Sequence, residues 1–360
     1  MGSVADRLRA AAWDIVRDEA GNRLVSPMSL AIALGVIAEG ATGGTEAALD
    51  KFFGVGDAER RHSLGQWLAS LGSYDSLPAS VDVDDPPENP VLHIASQVAV
   101  AGGDVEPQFA ETIDRHLCAE VSHVPTWRDL KPELDEFARS HSAQLIAESA
   151  IVPDPAMLLV VQNVLFFAAS WRQKLASTVM EFHSPSGPSS VDAMTGTVAC
   201  KMVEAPGFVA IRLPFTERFA MDVILPGGSV SGLASGDFRE ASEQLDAAIE
   251  SQVALTMPVS DQTSSLDMAP HLSSLGIVPG SYDRMFDKAV VQAVHQQARL
   301  RVGPHGAVGA ALTEIAMTRS AHVEPVLRMV VDRPYALQVV DLDHGWPLFL
   351  AAIEAPTATV

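Results

Sequence analysis

The hydrophobic and polar positions follow a helical period in the first quarter of the chain. Residues 5–19 have apolar side chains at helical spacing, which predicts an amphipathic helix. Residues 28–39 are apolar almost all round, so we expect a buried helix there. Ser26 is placed to cap its N-terminus and Pro27 to occupy its first turn. A further short helix is expected over residues 45–53.

Strand patterns replace the helical ones from about residue 91 onward. The run 157–168 is apolar on both faces, which is typical of a strand in the middle of a covered sheet. One helix, residues 130–146, interrupts the strands, and the acidic, proline-rich run 81–90 is typical of a solvated connection. Helices first and strands later predict an α+β fold with mostly antiparallel or mixed sheets. The other predicted strands are residues 92–101, 208–214, 219–225, 253–257, 290–302, 335–342 and 348–353.

One segment, residues 306–333, lies between two predicted strands and is too long for a tight hairpin. Loops of this length inside compact domains are uncommon, and they are usually functional or disordered. If its first half is extended, one face has no charge and mostly small side chains, so that face could be buried in a sheet. The uncharged face is formed by Ala307, Gly309, Ala311, Thr313 and Ile315, and the opposite face by Val308, Ala310, Leu312, Glu314 and Ala316. A loop that could also be a central strand indicates a protein with two states.

Composition narrows the classes of partner. The chain has 360 residues, 48% of them hydrophobic, which is enough for one large domain or two. With 45 acidic and 24 basic side chains the net charge is −21, so we expect neither a nucleic-acid nor a membrane partner. Cys118 and Cys200 have no metal-ligand spacing, so we expect two buried thiols, and a disulfide between them stays open. The charged N-terminus lacks an apolar signal-peptide core, so we expect a cytoplasmic protein, with an extracellular one as the alternative.

A set of short motifs is more specific than any of these patterns. Each motif alone is weak, but together, in one order over nearly the whole chain, they resemble the serpin family. The pieces are N-R-L-V-S-P-M-S from Asn22, G-A-T-G-G-T from Gly40, N-V-L-F-F-A-A-S-W from Asn163, Leu213-Pro214 with Ile224-Leu225-Pro226, His295, Arg333-Pro334-Tyr335, and Pro347-Leu348-Phe349 with Pro356.

The resemblance implies the serpin fold, with a large mixed sheet A, further sheets B and C, about eight or nine helices and an exposed reactive-centre loop. We expect a single domain over residues 1–360, with the reactive loop at about residues 304–330. The activity implied is inhibition of serine-type endopeptidases. The target protease cleaves the loop and forms an acyl-enzyme, and the loop then inserts into the central sheet and traps it. The resemblance therefore implies a monomeric inhibitor with no catalytic residues, cofactor or metal of its own, and a serine protease as its partner.

The same resemblance assigns roles to individual residues. Counting from Gly306, as the fifteenth residue before the cleaved bond, places Ser320 on the acyl side, and a loop one residue shorter gives Arg319. We favour Arg319–Ser320 as the reactive bond, because arginine there suits a trypsin-like protease. Met317, Thr318 and Val323 are other possible sites of cleavage. The expected hinge consists of Gly306, Ala307, Val308, Gly309, Ala310 and Ala311, and the expected shutter beneath the large sheet of Ser26, Ser29, Asn163 and His295. Trp171 is expected to be a core aromatic near the top of the sheet.

Two residues depart from the family pattern at the start of the loop. Pro304 lacks an N–H and has a fixed φ, and both Pro304 and Val308 stand where the family favours glutamate. Slower opening of the hinge would make the protein a substrate of its protease. The alternative function is therefore a non-inhibitory, serpin-fold binding or chaperone-like protein. An enzyme is disfavoured, because the sequence has no G-x-S-x-G, HExxH, phosphate-binding loop or dinucleotide fingerprint.

Overall fold

The computed structural model describes residues 3–17, 21–287, 289, 291, 294–307 and 327–356. Two short 3₁₀ helices lie within these residues, at Pro78–Ser80 and Val230–Gly232. The eight α-helices of the described residues are α1 (Val4–Arg17), α2 (Pro27–Gly40), α3 (Gly43–Phe53), α4 (Asp57–Ser70), α5 (Pro107–Leu117), α6 (Trp127–His141), α7 (Ser235–Ala247) and α8 (Ala269–Ser274).

The strands form two sheets. They are β1 (Arg23–Val25), β2 (Val91–Ala101), β3 (Ala119–Val124), β4 (Leu159–Ser170), β5 (Ala176–Ser184), β6 (Gly187–Ala205), β7 (Phe208–Pro214), β8 (Phe219–Pro226), β9 (Ser251–Pro258), β10 (Ser260–Asp267), β11 (His295–Gly303), β12 (Gly306–Ala307), β13 (Leu327–Val330), β14 (Tyr335–Asp341) and β15 (Trp346–Ile353). The large mixed sheet has the order β10-β11-β12-β4-β2-β3, in which β2 and β3 are parallel. The other sheet has nine strands in the order β1-β15-β14-β8-β7-β6-β9-β13, and β5 also pairs with β6. The long strand β6 thus joins the expected sheets B and C.

The predicted helix after Ser26 is confirmed as α2, and its start follows from local chemistry. The Ser26 hydroxyl accepts a hydrogen bond from the Ser29 N–H, and Pro27 occupies the first turn. Almost every residue of α2 is buried, because the helix packs against both β4 and β15. The helix therefore lies between the two sheets, beneath the centre of the large one.

Most predicted strands are confirmed to within two residues at each end, and two boundaries are wrong. The expected helix 130–146 is α6, which ends at His141 because Ala143 and Gln144 have positive φ angles of 51° and 62°. Strand β11 begins at His295, five residues later than expected.

The acidic run 81–90 is not simply a solvated connection. Val81 and Val83 pack on Phe166 and Ala168, on the face of β4 that points away from α2. Asp84 lies 3.6 Å from the Arg301 guanidinium on β11. The prediction was wrong because the acidic and proline residues of this run outnumber Val81 and Val83. The composition therefore did not reveal that these two valines pack on the sheet.

Candidate functional site

The start of the predicted loop lies inside the large sheet. Gly306 and Ala307 form β12, which pairs antiparallel with β11 on one side and with β4 on the other. Ala307 faces Val302 and Ala169, is fully buried, and belongs to the main hydrophobic core. The first two residues of the expected hinge are therefore already the beginning of a central strand.

Gly306 is at a position that only glycine fits. A Cβ atom there would lie 2.1 Å from the Ala169 carbonyl oxygen and 2.7 Å from the Ser170 Cα. Both atoms are main chain, so no side-chain rotation could relieve the overlap. The lack of a side chain at Gly306 is what allows β12 to approach β4 closely.

Trp171 fixes the turn that leads from β11 into β12. Its backbone N–H donates to the His305 carbonyl at 2.9 Å, and its indole Nε1–H donates to the Gly303 carbonyl at 2.8 Å. The Pro304 carbonyl accepts from the Leu175 N–H at 2.8 Å. Every carbonyl from Gly303 to His305 is thus occupied, and Pro304 stands at a turn position that needs no N–H donor from it. The indole ring of Trp171 stacks on Phe215, in agreement with the expected core aromatic.

Strands β4 and β11 are separated beyond β12. Within the described residues, the backbone ladders join these two strands only through β12. A small cavity of about 30 Å³ lies next to their middle parts, and a larger one of about 220 Å³ is lined by their N-terminal halves and by α2. We call this whole region, from β12 to the larger cavity, the gap between β4 and β11.

All four expected shutter residues line this gap. The Ser26 hydroxyl donates to the Leu348 carbonyl at 2.7 Å, while it also caps α2 through Ser29. Ser29 and Asn163 both line the two cavities. The Asn163 Nδ2 group donates to the Ala95 carbonyl and to the Ser96 hydroxyl, at 3.1 and 2.8 Å. In the described part of the chain its Oδ1 is buried without a hydrogen-bond partner.

The fourth of them, His295, lines the larger cavity but is exposed, so it does not lie beneath the sheet as expected. Gln296 is the buried neighbour that points toward α2. Its Oε1 accepts from the Ser26 N–H at 3.0 Å, and its Nε2 donates to the Ser26 carbonyl at 2.8 Å. Successive residues of a strand point to opposite faces, so an assignment shifted by one residue selects the wrong side chain.

The other predicted site residues lie outside the described residues. These are the hinge residues Val308, Gly309, Ala310 and Ala311 and the reactive bond Arg319–Ser320.

The two cysteines are free thiols, and they differ in exposure. Cys200 is buried, and burial raises the pKa of its thiol to about 12. Cys118 is exposed, so the expectation of two buried thiols was wrong for this residue. Its position at the end of α5, with a positive φ of 51°, turns it away from the core.

The described residues contain neither a candidate metal centre nor a helix that could span a membrane. No three His, Cys, Asp or Glu side chains in those ranges converge to hold a metal ion. No helix there is long and apolar enough to cross a membrane.

The Serpin (serine protease inhibitor) family model matches residues 13–356. The chain is a serpin. Among curated proteins it is 25% identical to Serpin-Z1C of Triticum aestivum, over 94% of this chain and 91% of the relative. Among solved structures it resembles Manduca sexta serine protease inhibitor (Serpin)-12, with a TM-score of 0.84 and 16% identity over 99% of each chain.

A protein named for a different role has nearly the same fold. The structure of thyroxine-binding globulin in complex with thyroxine has a TM-score of 0.81 and 16% identity, and the alignment covers 98% of this chain and 99% of that one. At these identities the solved structures show the fold alone. The expected fold class is therefore confirmed, and the activity has to be argued from the site.

Proposed function

We propose that this serpin inhibits serine-type endopeptidases by suicide cleavage of its reactive loop, acyl-enzyme trapping and insertion of the loop into the large sheet. The observation that supports this best is β12. Gly306 and Ala307 already occupy the position of a central strand, and the ladders of the described residues join β4 and β11 nowhere else. Cleavage within residues 304–330 would allow the same strand to extend along the gap. We propose that the chain does this as a single-domain monomer.

The energetics favour insertion. A strand that extends by about ten residues would gain roughly ten backbone hydrogen bonds, each worth about 1 kcal/mol net. Burial of apolar side chains adds to this, so the total is of the order of a whole domain's stability, about 10 kcal/mol. Residues 307, 309, 311, 313 and 315 would face the core in such a strand, and none of them is charged. Glu314, the nearest charge, would face outward.

The register of β12 gives the proposed inserted strand a specific partner for Asn163. Ala307 lies opposite Ala169 and Val302, so antiparallel extension by six residues brings residue 313 opposite Asn163 and Gln296. Residue 313 is a threonine, whose hydroxyl is a hydrogen-bond donor. We therefore propose that Thr313 donates to the buried Asn163 Oδ1 once the loop has inserted.

We propose Arg319–Ser320 as the reactive bond, with Arg319 on the acyl side. An arginine there would fill the acidic specificity pocket of a trypsin-like protease. Ser320 on the acyl side is the alternative given by counting from Gly306, and it would suit a protease with a small specificity pocket.

The second candidate is a non-inhibitory serpin that binds a ligand or a polypeptide. The thyroxine-binding relative has the same fold, and Pro304 and Val308 depart from the inhibitor pattern. The geometry at Pro304 weakens this alternative. Its carbonyl is hydrogen-bonded to Leu175, and the turn it occupies leads into a β12 that is already paired.

Mixing the protein with a trypsin-like and a chymotrypsin-like protease tests the proposal. We expect a covalent adduct with the trypsin-like enzyme that survives SDS. The matched control is Ala307→Arg, which should be cleaved at the same bond without forming an adduct. Cleavage of the wild-type protein by every protease tried, with no adduct, would favour the non-inhibitory candidate.

A further inference from the structure

A hydrogen-bonded chain of three ionisable side chains ties the end of α6 to the large sheet. The His93 Nδ1 lies 2.7 Å from the Asp75 Oδ1, and the His93 Nε2 lies 2.8 Å from the His141 Nδ1. His93 is on β2, His141 is the last residue of α6, and Asp75 follows α4. The two imidazole rings are stacked, with an angle of 9° between them, and Phe137 packs on the outer ring, that of His141.

The protonation of this pair is constrained by its geometry. A carboxylate only accepts, so the His93 Nδ1 must donate to Asp75. In the neutral pair the bare His93 Nε2 accepts from the His141 Nδ1–H. One added proton still leaves a single N–H between the two rings, so the hydrogen bond between them is kept. A second proton places N–H against N–H and two positive charges side by side, so the bond between the rings is lost.

The groups around the pair determine the pH at which it takes up the second proton. Asp75 and Glu120, on β3, favour a positive His141, while burial and the neighbouring His93 oppose it. Burial is the largest of these effects, and the pKa of His141 is lowered from its ordinary value. The exposed Cys118 thiol is also near Asp75, and its pKa is raised, so it stays neutral in this range.

The chain that follows His141 is strained, and it crosses the gap. Ala143 and Gln144 have left-handed φ angles, a conformation that non-glycine residues adopt only at some cost. Residues 146 and 149–151 line the larger cavity. The Ala150 N–H donates at 2.7 Å to the Gln297 Oε1 on β11. A strand entering between β4 and β11 must therefore pass beneath residues 142–151, whose first anchor is His141.

We propose that the His93–His141 pair is an acid-sensitive lock on residues 142–151. Double protonation separates the rings, releases the end of α6 with its strained connection, and so uncovers the gap. The consequence for loop insertion rests on the function proposed above, and insertion should then be faster in acid than at neutral pH. The opening of residues 142–151 itself does not depend on that function.

Hydrogen–deuterium exchange of the full-length protein tests this directly. Peptides within residues 138–151 are followed at pH 7.5, 6.0 and 5.0, with the rates corrected for the intrinsic pH dependence of exchange. One group with a lowered pKa can raise the local opening equilibrium by at most about tenfold per pH unit. We expect a rise of several-fold to tenfold between pH 6.0 and 5.0. Peptides of β14 and β15 should show no such change, since the opening is local.

Two variants complete the test. His141→Gln retains an amide that can meet the His93 Nε2 but does not titrate, so its profile should be flat. His123→Gln is the matched control, because His123 lies on β3 beside Asp104, at 2.9 Å, outside the pair. It should follow the wild type. A flat wild-type profile, an unchanged profile in His141→Gln, or equal opening of β14 and β15 would overturn the proposal. No protease is used in the exchange experiment, so its outcome does not test the proposed inhibitor function. Conversely, the absence of a covalent adduct with a protease would not test the opening of residues 142–151.

Discussion

Replacing Gly306 by alanine tests whether β12 is needed in the sheet. The new Cβ would lie 2.1 Å from the Ala169 carbonyl oxygen and 2.7 Å from the Ser170 Cα, well inside contact distance. Since both are main-chain atoms of β4, either β4 moves or β12 leaves the sheet. We expect β12 to leave, because its two residues are held by fewer interactions than the twelve residues of β4.

The loss in stability can be estimated from the interactions that β12 would lose. Two or three backbone hydrogen bonds at about 1 kcal/mol each, with the burial of the Ala307 methyl at about 0.8 kcal/mol, give a loss of roughly 3 kcal/mol. For a chain of 360 residues the entropy of unfolding at the midpoint is about 0.75 kcal/mol per degree. The uncleaved Gly306→Ala protein should therefore melt about 4 °C below the wild type. After cleavage, the inserted strand of this variant would make the same close contact with β4. Insertion should therefore be slower, and more of the protein should be cleaved without trapping the protease.

The assay is thermal denaturation of the uncleaved protein together with titration of a trypsin-like protease. Gly303→Ala is the matched control, because a Cβ at Gly303 would meet nothing within 4 Å. We expect Gly303→Ala to behave as the wild type and Gly306→Ala to consume more inhibitor per protease trapped. Equal melting temperatures and equal stoichiometries for the two variants would refute the role given to β12.

The other predictions concern the loop and its target. A single verified cut between residues 316 and 321 should raise Tm by about 13 °C, because insertion is worth about 10 kcal/mol, and an unchanged or lower Tm would reject insertion. Ala307→Arg would bury a charge and should leave cleavage intact while abolishing the adduct on SDS gels. Thr313→Val should leave the uncleaved protein unchanged and lower the stability of the cleaved form by about 1 kcal/mol in guanidinium, the value of one hydrogen bond. Arg319→Ala should slow inhibition of a trypsin-like protease by about a hundredfold, and a released peptide that begins at residue 321 would instead assign Ser320 to the acyl side.

The sequence was sufficient to predict a structural element where a single short run of residues determines it. Strand β4 is apolar on both faces because α2 covers one and α6 the other, so its run of large side chains predicts a central strand. The helix α2 likewise contains its own cap, Ser26. In each case the residues that decide the structure are neighbours in the chain.

Prediction failed where the structure depends on the register of a strand to within one residue, or on a contact between residues distant in sequence. The choice between His295 and Gln296 depends on which face of β11 points to α2, and nothing within β11 shows this without its neighbours. The end of α6 was placed too late because 142–146 continues the apolar pattern, while the φ angles of Ala143 and Gln144 end the helix. The pair His93 and His141 is separated by 48 residues, and neither histidine is unusual in its local sequence.

The two faces of the gap between β4 and β11 differ in what a substitution on them would change. The inner face, where Ala307 and α2 meet, is built from small and apolar residues that each run of sequence displays. The outer face is covered by residues 81–87 and 142–151, which contact Phe166 and Gln297. Changes on the inner face alter the energy of the inserted strand itself. Changes on the outer face alter only the cover that the strand must pass, so they should affect the rate of insertion and leave the final stability of the cleaved protein unchanged.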